Sequence, residues 1–227
     1  MPELRRNFHE HLRVLEDDIL GMGQRVLRML AGAMAALQRR RGDEADAVIA
    51  ADDQVDAVYR ATQESVLTML ALEAPVASEL RLVTALMHTS IRLERVGDLC
   101  VNIARYARQS GELAGDAEVR RVLEEMGTHA RRLLERSLQS LAHRDVALAL
   151  QLAELDDPLD RLNAGLPPRL VQLGAGDAQR LDWAFHTVLV GRYLERIGDH
   201  AVAIGQQVVF YASGAAESAT TPRIVQS

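Results

Sequence analysis

The segment LERVGDL at residues 93–99 returns as LERIGDH at residues 194–200, an E-R-x-G-D core repeated at an offset of 101. A weaker echo lies upstream, where ADDQVDAVY (51–59) and LDDPLDRLN (155–163) share D-D-x-x-D at an offset of 104. Two matching elements in the same order and nearly the same register make the chain a tandem duplication. Its 227 residues then divide into halves of about 105 to 110 residues, an ordinary domain size. The fold must be one that half of the chain can build by itself.

Hydrophobic residues make up 48% of the chain but aromatics only 4%, and prolines number six. Sheets lean on β-branched and aromatic residues, whereas Ala, Leu, Arg and Glu favour helix, so the composition predicts an all-α fold. Breakers cut each half into three pieces. In the first half, Gly42 and Asp43 after Arg41 resemble a C-cap glycine and a new N-cap, and Glu73-Ala74-Pro75 before Ser78 resembles a stop and a start. In the second half, Gly111 to Gly115 form a linker, His143-Arg144-Asp145 a turn with an N-cap, and Gly174 to Asp177 another. The predicted helices cover about 3–40, 43–71, 78–110, 116–141, 145–172 and 177–213. The expected architecture is two tandem antiparallel three-helix bundles, residues 1–112 and 113–214, with 215–227 as a disordered tail.

Several function classes drop out. All 26 basic residues are arginine, so there is neither a P-loop lysine nor a Schiff-base lysine. A net charge of −6 argues against nucleic acid as the main partner, because phosphate neutralisation calls for a basic surplus. Cys100 is the single cysteine, which excludes an intrachain disulfide and a thiolate zinc site and suits a small core residue. The N-terminal stretch has no apolar signal region and no run of about 18 apolar residues occurs, so a soluble, cytoplasmic protein is expected.

Glu94 and Asp98 are four residues apart, on one face of the third predicted helix, which also carries Leu80, Val83, Met87 and Val101. Glu195 and Asp199 repeat the arrangement on the sixth helix, among Leu181, Val188 and Val202. Asp52 and Asp56 on the second helix, near Val48, Val55 and Tyr59, have the same spacing, as do Asp156 and Asp160 on the fifth. If the second and third helices of each bundle are neighbours, four carboxylates converge in each half. Like charges so close are costly unless a cation or proton compensates them. Oxygen-only ligation suits Mg²⁺, Mn²⁺, Ca²⁺ or iron and disfavours a structural zinc site. Gly97 and Gly198 precede the second acid of each motif, where a missing side chain admits a close neighbour. The competing explanation is ion pairing, with Arg95 and Arg196 adjoining the acids and Arg105 on the Glu94 face. Duplication of all four pairs favours a site.

The remaining candidates are weaker. His9, His11, His88, His129, His143 and His186 lack a partner at metal-ligand spacing, and His200 has only Leu99 as its counterpart. Arg39, Arg40 and Arg41 end the first helix, where positive charge complements the helix dipole.

The segments LERVGDLCVNIA and YLERIGDHAVAIGQQVVFYASG, with ELRLVTALMHTSIR before the first, resemble the PhoU family of bacterial phosphate-signalling regulators across residues 5 to 214. The resemblance implies two similar three-helix bundles whose E(D)xxxD motifs bind metal clusters of iron or other ions, manganese, magnesium, zinc and calcium among them. It also implies a cytoplasmic, non-enzymatic protein, often a homodimer, that meets the membrane only through partners. Those partners would be the ATPase subunit of a phosphate ABC transporter and a sensor histidine kinase, and the role would be to restrain the starvation response when phosphate is plentiful. By position, Asp52, Asp56, Glu94 and Asp98 match the first metal site, and Asp156, Asp160, Glu195 and Asp199 the second. Asn102 keeps a ligand-type residue four positions after Asp98, whereas Ala203 breaks that pattern in the second half, and Pro158 removes a helical hydrogen bond inside the second DDxxD segment. Weaker or differently filled metal is therefore expected in the second half. Two alternatives stand beside this: a carboxylate-bridged metalloenzyme, disfavoured because Gly97 and Gly198 stand where Glu-x-x-His sites place histidine, and a metal-free helical scaffold.

Overall fold

The computed structural model describes residues 2–39, 42–109 and 116–213. They form six helices: α1 (Pro2–Arg39), α2 (Gly42–Glu73), α3 (Ser78–Gln109), α4 (Ala117–His143), α5 (Val146–Gly174) and α6 (Ala178–Ser213). No strand occurs among the described residues. Arg40 and Arg41, the 111–115 linker, the 112/113 boundary and the 215–227 tail lie outside them.

Local chemistry sets the helix ends. Asp116 caps α4 by accepting the N–H groups of Glu118 (3.1 Å) and Val119 (3.0 Å). Arg144 turns the chain in the left-handed region (φ 54°), and Asp145 then accepts the N–H of Leu148 at 2.9 Å to start α5. Asp177 caps α6 through Gln179 (2.9 Å) and Arg180 (3.3 Å). Three expected boundary residues fall inside helices instead. Gly42 opens α2 with Asp43 in its first turn, Ser78 is the first residue of α3, and Gly174 is the last of α5. The α2–α3 turn is built on two left-handed alanines, Ala74 and Ala77. Helix α5 runs unbroken through Pro158, Pro167 and Pro168.

Each bundle packs its three helices on one another, and the bundles meet where α3 lies against α6 and α1 against α4. Helices α2 and α5 touch only helices of their own bundle. The α1–α4 seam is locked twice. A methyl group added at Gly23 would come within 2.5 Å of Leu138 Cδ2, and one added at Gly127 within 2.6 Å of Met34 Cε. Both glycines and both knobs are related by the same offset of 104 residues, so the two contacts are one contact repeated about an internal pseudo-twofold. Along the α3–α6 seam the Tyr106 and His186 rings stack with centroids 5.3 Å apart. One apolar core runs through both bundles, with Ile19, Met22, Leu93, Met126, Leu134 and Leu159 fully buried. Cys100 belongs to it, and burial pushes its thiol far above the ordinary range, as its apolar setting predicts.

Candidate metal centre

The structure brings the predicted acids together in two groups of four. In the first bundle, burial raises Asp52 above its ordinary value, the charges of Asp56 and Asp98 add to the rise, and Arg105 opposes it. Burial likewise raises Glu94, followed by the charge of Asp98 and, more weakly, of Asp56 and Asp52. Four carboxylates from α2 and α3 therefore share one electrostatic environment. Gly97 makes this possible, since a methyl group added there would stand 3.3 Å from Asp52 Oδ1 and 3.4 Å from Val55 Cγ1. Arginines offset part of the charge. Arg95 reaches Glu94 Oε2 at 3.4 Å and Asp98 Oδ2 at 3.2 Å, and Arg60 lies 3.7 Å from Asp56 Oδ2. Asn102 follows one turn after Asp98, half-buried.

The second group is the more tightly held. Asp156 is only 7% exposed, and its Oδ1 has no hydrogen-bond partner. Burial, then the charges of Asp160, Asp199, Glu195 and Asp157, push Asp156 up to about 7. Asp160, Glu195 and Asp199 are raised as well, each by burial first, with Arg192 opposing all three. Glu195 Oε1 takes Arg192 Nη1 at 2.7 Å, while its Oε2 is buried without a partner. Gly198 plays the part of Gly97 more severely: a methyl group there would run into Asp156 Oδ1 and stand 2.8 Å from Leu159 Cδ2. Helix α5 continues through Pro158, and Ala203 follows Asp199 by one turn on α6, half-buried.

Some surroundings differ from expectation. Leu80 (41% exposed) and Leu181 (58%) do not continue the buried apolar stripes: each lies in the first turn of its helix, where Leu181 touches Gly174 of α5 but stays largely open to solvent. The partner of Glu195 is Arg192, one turn before it, in place of the adjoining Arg196. Arg192 was legible in principle, since three residues separate the two on one helix. His200 is half-buried with its Nε2 unpartnered, and burial together with Arg92, Arg196 and Arg95 lowers it to about 4. Arg95 of α3 thus acts on both His200 of α6 and the first acid group, so the two clusters flank the α3–α6 seam. Among the described residues, no three His, Cys, Asp or Glu side chains stand in a preformed coordination sphere. The donor set nonetheless fits a hard cation: oxygen-only, crowded, and with two buried carboxylate oxygens unsatisfied.

Fold and site together define a duplicated all-helical protein with one carboxylate cluster per repeat. The PhoU domain, as a family model, matches residues 19–107 and 123–208, one match per bundle. The chain belongs to the PhoU family. It is 32% identical over 213 residues to the phosphate-specific transport system accessory protein PhoU homolog of Pseudomonas putida, covering 92% of this chain and 82% of that one. It is 31% identical over 216 residues to the homolog of Deinococcus radiodurans, covering 94% and 100%. The crystal structure of PhoU from Pseudomonas aeruginosa superimposes with a TM-score of 0.87 at 29% identity, covering 92% of this chain and 100% of that one. PhoU from Streptococcus pneumoniae, a phosphate transport system regulatory protein, gives 0.84 at 26% identity, covering 92% and 98%. No helix among the described residues is long and apolar enough to cross a membrane.

Proposed function

We propose that this protein is a non-catalytic regulator of phosphate uptake. In this role it is a metal-binding cytoplasmic adaptor, acting as a homodimer between the ATPase subunit of a phosphate ABC transporter and a sensor histidine kinase, and it represses the phosphate-starvation response when phosphate is plentiful. Membership of the PhoU family, whose relatives carry transport-accessory names, supports the regulatory role. The observation that carries the metal is the pair of buried, unpartnered oxygens on Asp156 and Glu195, within a group whose nearest compensation is one arginine. A bound Mg²⁺, Mn²⁺, Ca²⁺ or iron ion supplies the missing positive charge. This chain's residues would hold it with Asp156, Asp160, Glu195 and Asp199 in the second bundle, and with Asp52, Asp56, Glu94, Asp98 and Asn102 in the first.

Deleting the gene is expected to derepress phosphate-uptake genes in phosphate-rich medium, and re-expression should restore repression. An unchanged response rejects the regulatory role. Elemental analysis of untagged protein, with melting curves after adding Mn²⁺ or iron, tests the metal independently, because a ligand of the folded state alone must raise apparent stability. One observation favours a second reading for the first bundle. Arg95 bridges Glu94 and Asp98, so those acids serve as ion-pair partners there without metal. A stoichiometry of one ion per chain, abolished only by changes in the second cluster, would support it.

A further inference from the structure

Between α1 and α2 lies a groove of about 280 Å³ whose lining contains none of the clustered acids. Met29, Gly32, Val48 and Ala51 form an apolar surface inside it, and Arg25 and Arg28 stand along its α1 side. Neither arginine is in an ion pair among the described residues, whereas Arg39, further along the same helix, is matched to Glu44 at 3.0 Å. Glu44, which also lines the groove, keeps its Oε2 buried and without a partner. Arg25 and Arg28 are three residues apart on one helix face. Planar guanidinium groups so placed suit an oxyanion, which they bind in pairs of parallel hydrogen bonds.

The duplicated half shows that the groove is not demanded by helix packing. At the offset of 104, Gly32 becomes Arg136, Ala47 becomes Gln151, Ala51 becomes Leu155, and Arg25 becomes His129. The same pair of helices packs there with larger side chains in those places. Arg28 keeps an arginine in Arg132, so it is the small residues Gly32, Ala47 and Ala51, together with Arg25, that are particular to the first bundle.

We propose that this groove binds a small organic anion, a phosphate or carboxylate carried on an apolar body. The anion sits at Arg25 and Arg28, and the body lies over Met29, Val48 and Ala51. Glu44 Oε2 accepts a hydrogen bond from any hydroxyl or amino group the ligand presents. A groove of this size, just under the range of ordinary ligand pockets, admits a single ring or a short chain. The proposal does not depend on the carboxylate clusters or on the regulatory role.

The test is calorimetric titration of the full-length protein with phenyl phosphate, benzoate and inorganic phosphate. One saturable site per chain is expected for phenyl phosphate or benzoate, and the tighter of the two identifies the anion as phosphate or carboxylate. Replacing both Arg25→Ala and Arg28→Ala should weaken binding by about tenfold or more. Ala47→Leu, at an exposed position on the groove wall, should abolish it by filling the space. The pair Arg132→Ala and Arg136→Ala removes the same charge from the exposed face of α4 and should leave binding unchanged. Melting curves establish that each variant is folded. The proposal is overturned if neither organic anion saturates a site by about 10 mM, if the groove variants bind as the parent does, or if inorganic phosphate binds as tightly as phenyl phosphate.

Discussion

Asp156 rests with its Oδ1 against the backbone of Gly198, in space that a methyl group on that glycine would occupy. The repeat-related pair, Asp52 and Gly97, has the same arrangement with more room, 3.3 Å to the position of an added methyl carbon. The two halves therefore answer the same substitution differently. Gly198→Ala must displace a buried carboxylate and Leu159, and should destabilise the protein by about 1–3 kcal/mol. Gly97→Ala should be close to neutral, because a gain of about 0.5–1 kcal/mol in helix preference offsets a mild contact. Urea unfolding of both variants measures the difference, and equal effects would contradict the closer packing at Gly198.

Burial and neighbouring carboxylates raise Asp156 from its ordinary 3.8 to about 7. A folded-state value above the unfolded one means that the group's stabilising contribution is complete below pH 3.8 and lost as pH rises through 7. Asp156→Asn mimics the protonated acid. In metal-free protein at pH 8 it should raise stability by a few kcal/mol, at about 1.4 kcal/mol for each tenfold change in the ionisation constant, which is about 5 °C or more in melting temperature. The gain should disappear near pH 4. His200, lowered from 6.5 to about 4, acts in the opposite sense, its contribution falling as pH drops through that window. It is present in parent and variant alike, so the comparison removes it. An Asn variant no more stable than the parent at pH 8 would show that Asp156 ionises without penalty.

A cation in the second cluster must displace the Asp156 proton below about pH 7. Mn²⁺ affinity should therefore rise between pH 6 and pH 8, and titrations at pH 6.5 in buffers of differing ionisation enthalpy should report proton release. Glu195→Gln with Asp199→Asn should remove both the binding and the proton release. Binding that is independent of pH in this range would place the ion elsewhere.

The α1–α4 seam offers a third comparison between repeats. Gly23 faces the branched end of Leu138, and Gly127 faces the unbranched tail of Met34. A thioether chain gives way more readily than a γ-branched one. Gly23→Ala should cost about 1–2 kcal/mol and Gly127→Ala less than about 1 kcal/mol, as read from thermal denaturation. Equal costs would indicate that the seam separates as a rigid whole.

Much of the fold was legible because its signals are local. Asp145 and Asp177 cap helices where a short polar side chain follows a turn, and Glu73-Ala74-Pro75 ends α2 because the residue before proline is pushed out of the helical region. Ser78 and Gly174 mark expected boundaries that the helices overrun by one residue, which is the ordinary fraying of such ends. Within the candidate site, the pairs Asp52/Asp56 and Glu195/Asp199 followed from one-turn spacing along a single helix. The Arg192–Glu195 pair has the same one-turn spacing and was open to the same reading. The burial of Asp156 was not, because it depends on what the facing helix presents.

The duplication, the six helices and the pairing of acids along each helix follow from residue spacing in the sequence by itself. Their gathering into groups of four required α2 to lie on α3 and α5 on α6. Only the tertiary structure decided which of two equivalent clusters is buried, and that a groove with two unmatched arginines accompanies Gly32 and Ala51. Desolvation and Coulomb interaction depend on distances between helices. Those distances are set by side chains that come together in space from parts of the chain tens of residues apart.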